Sequence, residues 1–258
     1  MSVSWAVLRE APAMLGVAAA GLVGHAAVSL SLLYLLLGRW PTFDDLTFPH
    51  SLVVLPLIGA GAYVSTFCNA VLVATAHARI EGRPISVRAG VTAAALHLPQ
   101  LIAWTTLSIV VGTALQVVAE RLGVAGRLAN WLLGMAWSLA TVFIVPVLVI
   151  EGASVRRGVP RSARLFRERW GETVTADIGT GLVVILAVVA AVPVVLLVAL
   201  VAAPLAIALG VAVLAAGLTV QNTFAAVLTA ALYGYARDGR TLGGFTEADL
   251  AGTFLPRA

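Results

Sequence analysis

Several of the longest uncharged stretches of the sequence contain polar side chains that could exchange a proton or bind a solute. They are His25, Ser65, Asn69, Gln221, Asn222 and Thr223. Inside a membrane-spanning helix such groups are costly, and they commonly mark a solute pathway, a proton relay or a hydrogen bond between helices. A relay through His25 requires a carboxylate at the same depth, yet every Asp and Glu falls in a predicted loop or at the end of an apolar run. We therefore favour interhelical hydrogen bonds, with a solute pathway as the alternative.

His25 lies beside a ladder of small residues on the same predicted helix. Gly16, Ala20 and Gly24 are spaced by four, which predicts a close approach to a neighbouring helix. Hydrogen-bonded packing is the interpretation that we prefer for His25.

The sequence carries no motif that defines an enzyme. GxSxG, HExxH, a phosphate loop and a pair of intramembrane aspartates are all absent. A single cysteine, Cys68, leaves no disulfide framework and no cysteine-based metal site. We therefore expect a protein that is not an enzyme and that uses no metal or cofactor.

An arginine-rich segment supplies the second group of candidate residues. Val159, Ala163, Phe166 and Trp170 recur at the spacing of one helix face, and charged residues occupy the other faces. This pattern predicts an amphipathic helix at about 159–170 that lies in the plane of the lipid headgroups. It would anchor the next span, which we favour, or act as a lipid sensor or gate. The predicted membrane-interface residues are Arg156, Arg157, Arg161, Arg164, Arg167, Phe166 and Trp170.

The elements that position these residues follow from composition and hydropathy. Hydrophobic residues make up 60% of the chain and charged residues 11%, a balance outside the range of soluble domains. Crossing the hydrocarbon layer takes about 20 helical residues. The sequence therefore predicts an all-α membrane bundle, a single domain over 1–240 with a short cytoplasmic tail over 241–258. Its six spans are predicted near 13–37, 51–76, 98–118, 130–150, 179–202 and 211–235, with the last turn at Pro204 and Gly210.

Arginine distribution predicts the orientation of the chain. Thirteen arginines lie in the terminal segments and in the second and fourth loops, and three lie in the other loops. Because short basic loops stay in the cytoplasm, both termini are expected there, in a bacterial inner membrane. The net charge of +4 then indicates anionic lipid headgroups as partners and not nucleic acid.

Two of the predicted cytoplasmic loops resemble each other. One contains Ile80-Glu81-Gly82 and Ser86-Val87-Arg88, and the other contains Ile150-Glu151-Gly152 and Ser154-Val155-Arg156. The sixth span ends similarly at Asp238-Gly239. We interpret this as three related hairpins, and the simpler alternative is that glycine after an acid ends a helix.

A further set of residues forms a recognisable pattern over about residues 60–250, and the most specific part lies between Trp137 and Gly171. The set includes Phe67-Cys68-Asn69-Ala70, Glu81-Gly82, Trp104, Trp137-Ser138-Leu139-Ala140-Thr141, Pro146, Glu151-Gly152, Ser162, Leu165-Phe166, Trp170-Gly171, Ala231-Leu232-Tyr233 and Phe245. In these residues the sequence resembles a bacterial six-span membrane family catalogued only as a domain of unknown function. The resemblance implies a six-span fold and no particular activity.

Two functions fit these features. The favoured hypothesis is a non-enzymatic scaffold or accessory subunit that contacts a membrane protein partner or a second copy of itself. The alternative is a transporter or channel for a small solute or lipid. A polar cavity bounded by Asn69 and Gln221 would favour transport, whereas a dry, closed bundle would favour the scaffold.

Overall fold

The computed structural model describes residues 12–39, 57, 59–83, 86–121, 123–170 and 203–238. Every regular element within these ranges is a helix, which confirms the predicted all-α class for this part of the chain. The predicted fifth span, the first part of the second span and the tail over 241–258 lie outside the described residues. The helices are α1 (Pro12–Leu37), α2 (Ala62–Ile80), α3 (Val87–Leu96), α4 (Leu98–Arg121), α5 (Gly123–Ala140), α6 (Ile144–Val149), α7 (Val155–Trp170) and α8 (Ala203–Asp238).

Four stretches of the described chain are long and apolar enough to cross a membrane. They are Ala13–Leu37, Leu98–Arg121, Gly126–Val149 and Leu209–Asp238. They coincide with the first, third, fourth and sixth predicted spans, so the chain has the helices of a membrane protein.

The predicted turn between the last two spans is wrong at Gly210. Helix α8 runs without interruption for 36 residues from Ala203 to Asp238. A glycine inside a helix costs only about 1 kcal/mol, which is too little to end a helix that is otherwise apolar. Pro204 lies in the first turn, where a proline removes no helical hydrogen bond.

The predicted fourth span consists of two helices, because the chain turns at Thr141–Phe143 between α5 and α6. Pro146 accounts for this break, since proline has no N–H to donate to the carbonyl of Val142 and its ring crowds that carbonyl. At the break the N–H of Phe143 donates to the hydroxyl of Ser162 on α7, at 3.1 Å. Ser162 is fully buried, so α7 is fixed to the bundle at the break.

Helices α1, α2, α6, α7 and α8 share an apolar core at one end of the bundle. This is the end that carries the predicted cytoplasmic loops, and we call it the inner end. The alanines of α8 in this core are almost completely buried, and their small size lets the helices approach closely. We define the inner core by the buried residues Met14, Ala18, Leu72, Val73, Ala76, Phe143, Val147, Leu165, Phe166, Ala226, Val227, Ala230 and Tyr233.

Glycines allow α1 and α2 to pack closely, but not all at the predicted positions. A Cβ atom on Gly24 would lie 2.7 Å from Cγ1 of Val64, and one on Gly21 would lie 2.9 Å from Cβ of Cys68. Gly24 therefore lies at the contact, as predicted. The prediction is wrong for Gly16, which has open space around it, and for Ala20, which is exposed. The contact face is rotated from the predicted ladder toward Gly21.

The two similar loops have similar backbone conformations. Gly82 and Gly152 follow the glutamates and have φ angles of +77° and +65°, the left-handed conformation that glycine adopts at helix ends. Helix α3 then begins directly after Ser86, and α7 begins directly after Ser154. Helix termination by glycine accounts for the positive φ angles of the two glycines, but not for the helices that begin after the two serines. The three-hairpin repeat stays a prediction.

Candidate functional site

A polar cavity of about 360 Å³ lies between α1, α2 and α8. Its polar lining comes from four of the six residues predicted from the sequence: His25 on α1, Ser65 and Asn69 on α2, and Asn222 on α8. Cys68 also lines it, together with apolar residues such as Leu218. Three helices that are distant in sequence thus bring hydrogen-bonding groups to one place.

Helix geometry explains which of the predicted residues reach the cavity. Ser65 and Asn69 are four residues apart and share a face of α2, as predicted. On α8 the cavity face contains Leu218 and Asn222. The neighbouring Gln221 and Thr223 are each about 100° away around the helix, and neither lines the cavity. The prediction that Gln221 bounds the cavity is therefore wrong, and Asn222 takes that position.

The hydroxyl of Thr223 bonds within its own helix. It donates to the carbonyl oxygen of Thr219 at 2.8 Å, and the side chain is fully buried. Thr223 is thus a satisfied polar residue of the inner core region and contributes nothing to the cavity.

His25 and Ser65 join α1 to α2 across the cavity wall. Nδ1 of His25 lies 2.8 Å from Oγ of Ser65, and the tautomer of the ring decides which atom donates. Among the described residues that line the cavity, none carries a carboxylate or a guanidinium group. The described lining can therefore hydrogen-bond a neutral molecule.

The cavity is closed toward the inner end. Ala18 and Leu72 line it and also belong to the inner core, which continues below them through Met14 and Ala76. These side chains are at most 4% exposed. Packing of this density leaves no room for a water-filled path between these four side chains.

A second polar assembly lies at the inner end, where Tyr233 of α8 meets Glu151. The Tyr233 hydroxyl donates to Oε1 of Glu151 at 2.8 Å. Nε of Arg161 on α7 lies 3.3 Å from the same oxygen. The Tyr233 ring is fully buried and packs near the rings of Phe143 and His77. One buried aromatic residue thus connects the ends of α2, α6, α7 and α8.

Arg237 extends this assembly to the end of α2. Its guanidinium lies 2.7 Å from Oδ2 of Asp238 and 3.7 Å from Oε1 of Glu81. Its guanidinium carbon is 5.5 Å from the centre of the Tyr233 ring, within the range of a cation–π interaction. We call Glu81, Glu151, Tyr233 and Arg237 the inner network. The acids that end the three predicted hairpins, Glu81, Glu151 and Asp238, therefore lie at the same end of the bundle.

Electrostatics in the inner network favour an ionised Glu81. Burial opposes ionisation of this carboxyl, but the hydrogen bond from Arg83 and the charges of His77 and Arg237 outweigh burial and hold its pKa below the ordinary value. His77 lies beyond the predicted end of the second span, with Nε2 3.1 Å from Oε1 of Glu81. Burial lowers the pKa of His77 against the opposing charge of Glu81, and the contact between the two side chains joins the end of α2 to the inner network.

Sequence reasoning missed the roles of Tyr233, His77 and Arg237 in this network. Arg237 entered only the orientation argument, and Tyr233 entered only the family resemblance. One signal was present, because Tyr233 and Arg237 are four residues apart and share the face of α8 that ends at the inner surface.

The predicted amphipathic helix is present, and its apolar face contacts protein. Helix α7 begins at Val155, four residues earlier than predicted, and ends at Trp170. Leu165 and Phe166 belong to the inner core. The buried face, which also contains Ser162, is rotated by about one residue from the predicted stripe.

Four of the predicted interface arginines line a groove on the opposite side of α7. Arg156, Arg157, Arg161 and Arg164 enclose a volume of about 1110 Å³ together with Glu151 and Ser154. Arg167 is exposed and lies outside this lining. We call this feature the arginine groove.

The fold and the cavity define a helical membrane protein with a polar site between three of its helices. Among the described residues, no group of three or more His, Cys, Asp or Glu side chains is placed to hold a metal ion. The chain belongs to the family of unknown function DUF6159, whose model matches residues 50–245. This match confirms the resemblance to a family of unknown function. No curated protein and no solved structure matches the chain.

The family match covers only part of the cavity lining. It begins at residue 50, so α2 and α8 lie inside the matched region and α1 lies before it. Ser65, Asn69 and Asn222 are therefore within the family region, whereas His25 is outside it.

Proposed function

We propose that this chain is a six-span protein of the bacterial inner membrane that binds a small uncharged solute in the polar cavity and carries it across the membrane. Both termini lie in the cytoplasm in this proposal. The observation that supports it is the convergence of His25, Ser65, Asn69 and Asn222 on one cavity. Joining helices would not by itself require these four polar groups to face one shared open volume.

The lining selects the chemistry of the solute. Two carboxamides, a hydroxyl and an imidazole supply both donors and acceptors, and the described lining carries no fixed charge. A volume of about 360 Å³ is at the small end of ligand pockets, which range from about 300 to 1,000 Å³. A small polyol, an amide or the uncharged polar part of a lipid meets both requirements.

The inner core and the inner network act as the closed gate in this proposal. Passage to the cytoplasm requires α8 to move away from α2 and α6, which breaks the contacts of Tyr233 with Glu151 and of Arg237 with Glu81. Transporters commonly alternate access by moving one group of helices against another around a central site. In this proposal the described residues represent the state in which the inner side is closed.

A scaffold is the second candidate, and the dry inner half of the bundle favours it. The inner core is almost completely buried, and the inner network joins the ends of α2, α6 and α8. A rigid inner end of this kind suits a protein that holds a partner in place. The cavity would then be a packing defect with hydrogen-bonded walls.

Replacing Asn69 with Ala separates the two candidates. The purified chain is placed in liposomes, and the permeation of glycerol, urea and erythritol is followed by stopped-flow light scattering. Transport predicts that Asn69→Ala changes the permeation rate and leaves thermal stability in detergent nearly unchanged, because the lost partner is water or solute.

Thr223→Val is the matched control, since it removes a buried polar group of α8 that does not line the cavity. It should leave permeation unchanged. The scaffold predicts instead a loss of about 1 to 2 kcal/mol of stability for Asn69→Ala and the same permeation for every variant and for empty liposomes. That result would reject transport of this solute class.

A further inference from the structure

We propose that the arginine groove binds the phosphate group of an anionic headgroup, and that its position assigns it to phospholipids of the inner leaflet. This site is separate from the polar cavity, and the proposal does not depend on transport. It goes beyond general adhesion to a charged surface, because it places one headgroup in one concave site.

The groove has more positive charge than its own acid can neutralise. Glu151 is the acidic residue of its lining. Its carboxylate already accepts from Tyr233 at 2.8 Å and from Arg161 at 3.3 Å. Arg156, Arg157 and Arg164 are exposed and form no ion pair or hydrogen bond with any residue in the described ranges. Among the described residues, these three guanidinium groups therefore remain available to an external anion.

The arrangement of these arginines suits a phosphate. Arg157, Arg161 and Arg164 are spaced by four and three residues and share one face of α7. Guanidinium groups bind phosphate oxygens in pairs of parallel hydrogen bonds, which a planar fork provides and an ammonium group does not. The groove also contains the first turn of α7, where the helix dipole adds positive potential.

Position and size point to a lipid as the source of the phosphate. The apolar stretch Gly126–Val149 ends two residues before Glu151, so the groove begins where the hydrocarbon layer would end. Leu165 and Phe166, on the other side of α7, pack in the inner core and fix the groove at that level. Its volume of about 1110 Å³ far exceeds that of a phosphate ion and leaves room for a glycerol backbone.

Lipid binding to the full-length chain in detergent tests the proposal. Native mass spectrometry gives the affinity for phosphatidylglycerol, with phosphatidylcholine as the zwitterionic comparison. Inorganic phosphate and glycerol phosphate serve as water-soluble competitors. The test variant is Arg156→Gln/Arg164→Gln, which removes two exposed arginines of the groove.

The control variant, Arg88→Gln/Arg167→Gln, removes the same charge from two exposed arginines outside the groove at the same end of the bundle. We expect the test variant to lose roughly 30-fold in affinity for phosphatidylglycerol, and the control variant to retain the wild-type affinity. Arg164→Lys, which keeps the charge but loses the fork, should weaken binding by less than Arg164→Gln.

The competitors identify the source of the phosphate. Binding of phosphatidylglycerol that millimolar glycerol phosphate does not displace supports the lipid, whereas displacement would overturn the lipid assignment in favour of a soluble phosphate ester. Equal losses in the test and control variants, or equal affinity for the two lipids, would overturn the groove as a phosphate site. Because both variants change only exposed side chains, an unaltered elution volume in size-exclusion chromatography verifies that each is folded.

Discussion

Tyr233→Phe tests the inner network with the smallest possible change. The substitution removes the hydroxyl that donates to Glu151 at 2.8 Å and keeps the fully buried ring. The contacts of the ring with Phe143 and His77 remain. The change therefore reports on one hydrogen bond between α8 and the end of α6.

The magnitude follows from the charge and exposure of the partners. A hydrogen bond to a charged group contributes about 1.5 to 3 kcal/mol. The lower end applies here, because the Glu151 side chain is 25% exposed and also accepts from Arg161. We expect Tyr233→Phe to lower the free energy of unfolding by about 1.5 kcal/mol, well below the 3 kcal/mol or more expected if the ring were also lost in Tyr233→Ala.

The assay is equilibrium unfolding in mixed micelles with increasing dodecyl sulfate. Tyr233→Phe, Glu151→Gln and the double variant form a cycle that isolates the pair. If the hydrogen bond joins them, the second change costs less in the background of the first, and the coupling is about 1 kcal/mol. Additive losses would show that the two side chains act independently and would refute the network as described.

Three further predictions concern packing, pH and topology. A Cβ on Gly90 would lie 2.8 Å from a backbone carbonyl oxygen of α2. Gly90→Ala should therefore lower the free energy of unfolding by about 1 to 3 kcal/mol in the same assay. Gly134 has open space around it, so the control Gly134→Ala should not lower the free energy of unfolding. Because the pKa of Glu81 is depressed in the folded state, its stabilisation is present above the unfolded value of about 4.3 and is lost as the pH falls through the folded value. The melting temperature in detergent should therefore drop in acid, and less steeply in Glu81→Gln. In intact cells and in a Cys68→Ser background, an impermeant maleimide should label a cysteine that replaces Arg127 but not one that replaces Arg83, and the reverse pattern would invert the proposed topology.

Hydropathy was sufficient to predict the long apolar helices, since crossing a membrane imposes length and composition on each span separately. It did not predict where helices break. Gly210 lies inside α8 because the neighbouring apolar residues outweigh its small cost, whereas the fourth span breaks before Pro146, where Ser162 of another helix accepts the N–H of Phe143. The acceptor is 19 residues away along the chain, and the span alone gives no sign of it.

The candidate site was predictable to the level of helix faces. The four-residue spacing of Ser65 and Asn69 places them together, but the rotation of α8 decides between Gln221 and Asn222. That rotation is set by the buried alanines and Tyr233 of the inner core. The same reason applies to α7, where packing of Leu165 turned the apolar face by about one residue from the pattern in the sequence.

Chemical labelling of Cys68 tests the central claim, that a water-accessible polar cavity lies between α1, α2 and α8. This residue is the single cysteine of the chain and lines the cavity. The matched control is a cysteine at Ala230, which is fully buried in the inner core, in a Cys68→Ser background. We predict that a small impermeant methanethiosulfonate reagent added outside intact cells modifies Cys68 and leaves the cysteine at 230 unmodified. Reaction of Cys68 no faster than that of the buried control would contradict the account and favour a dry, closed bundle.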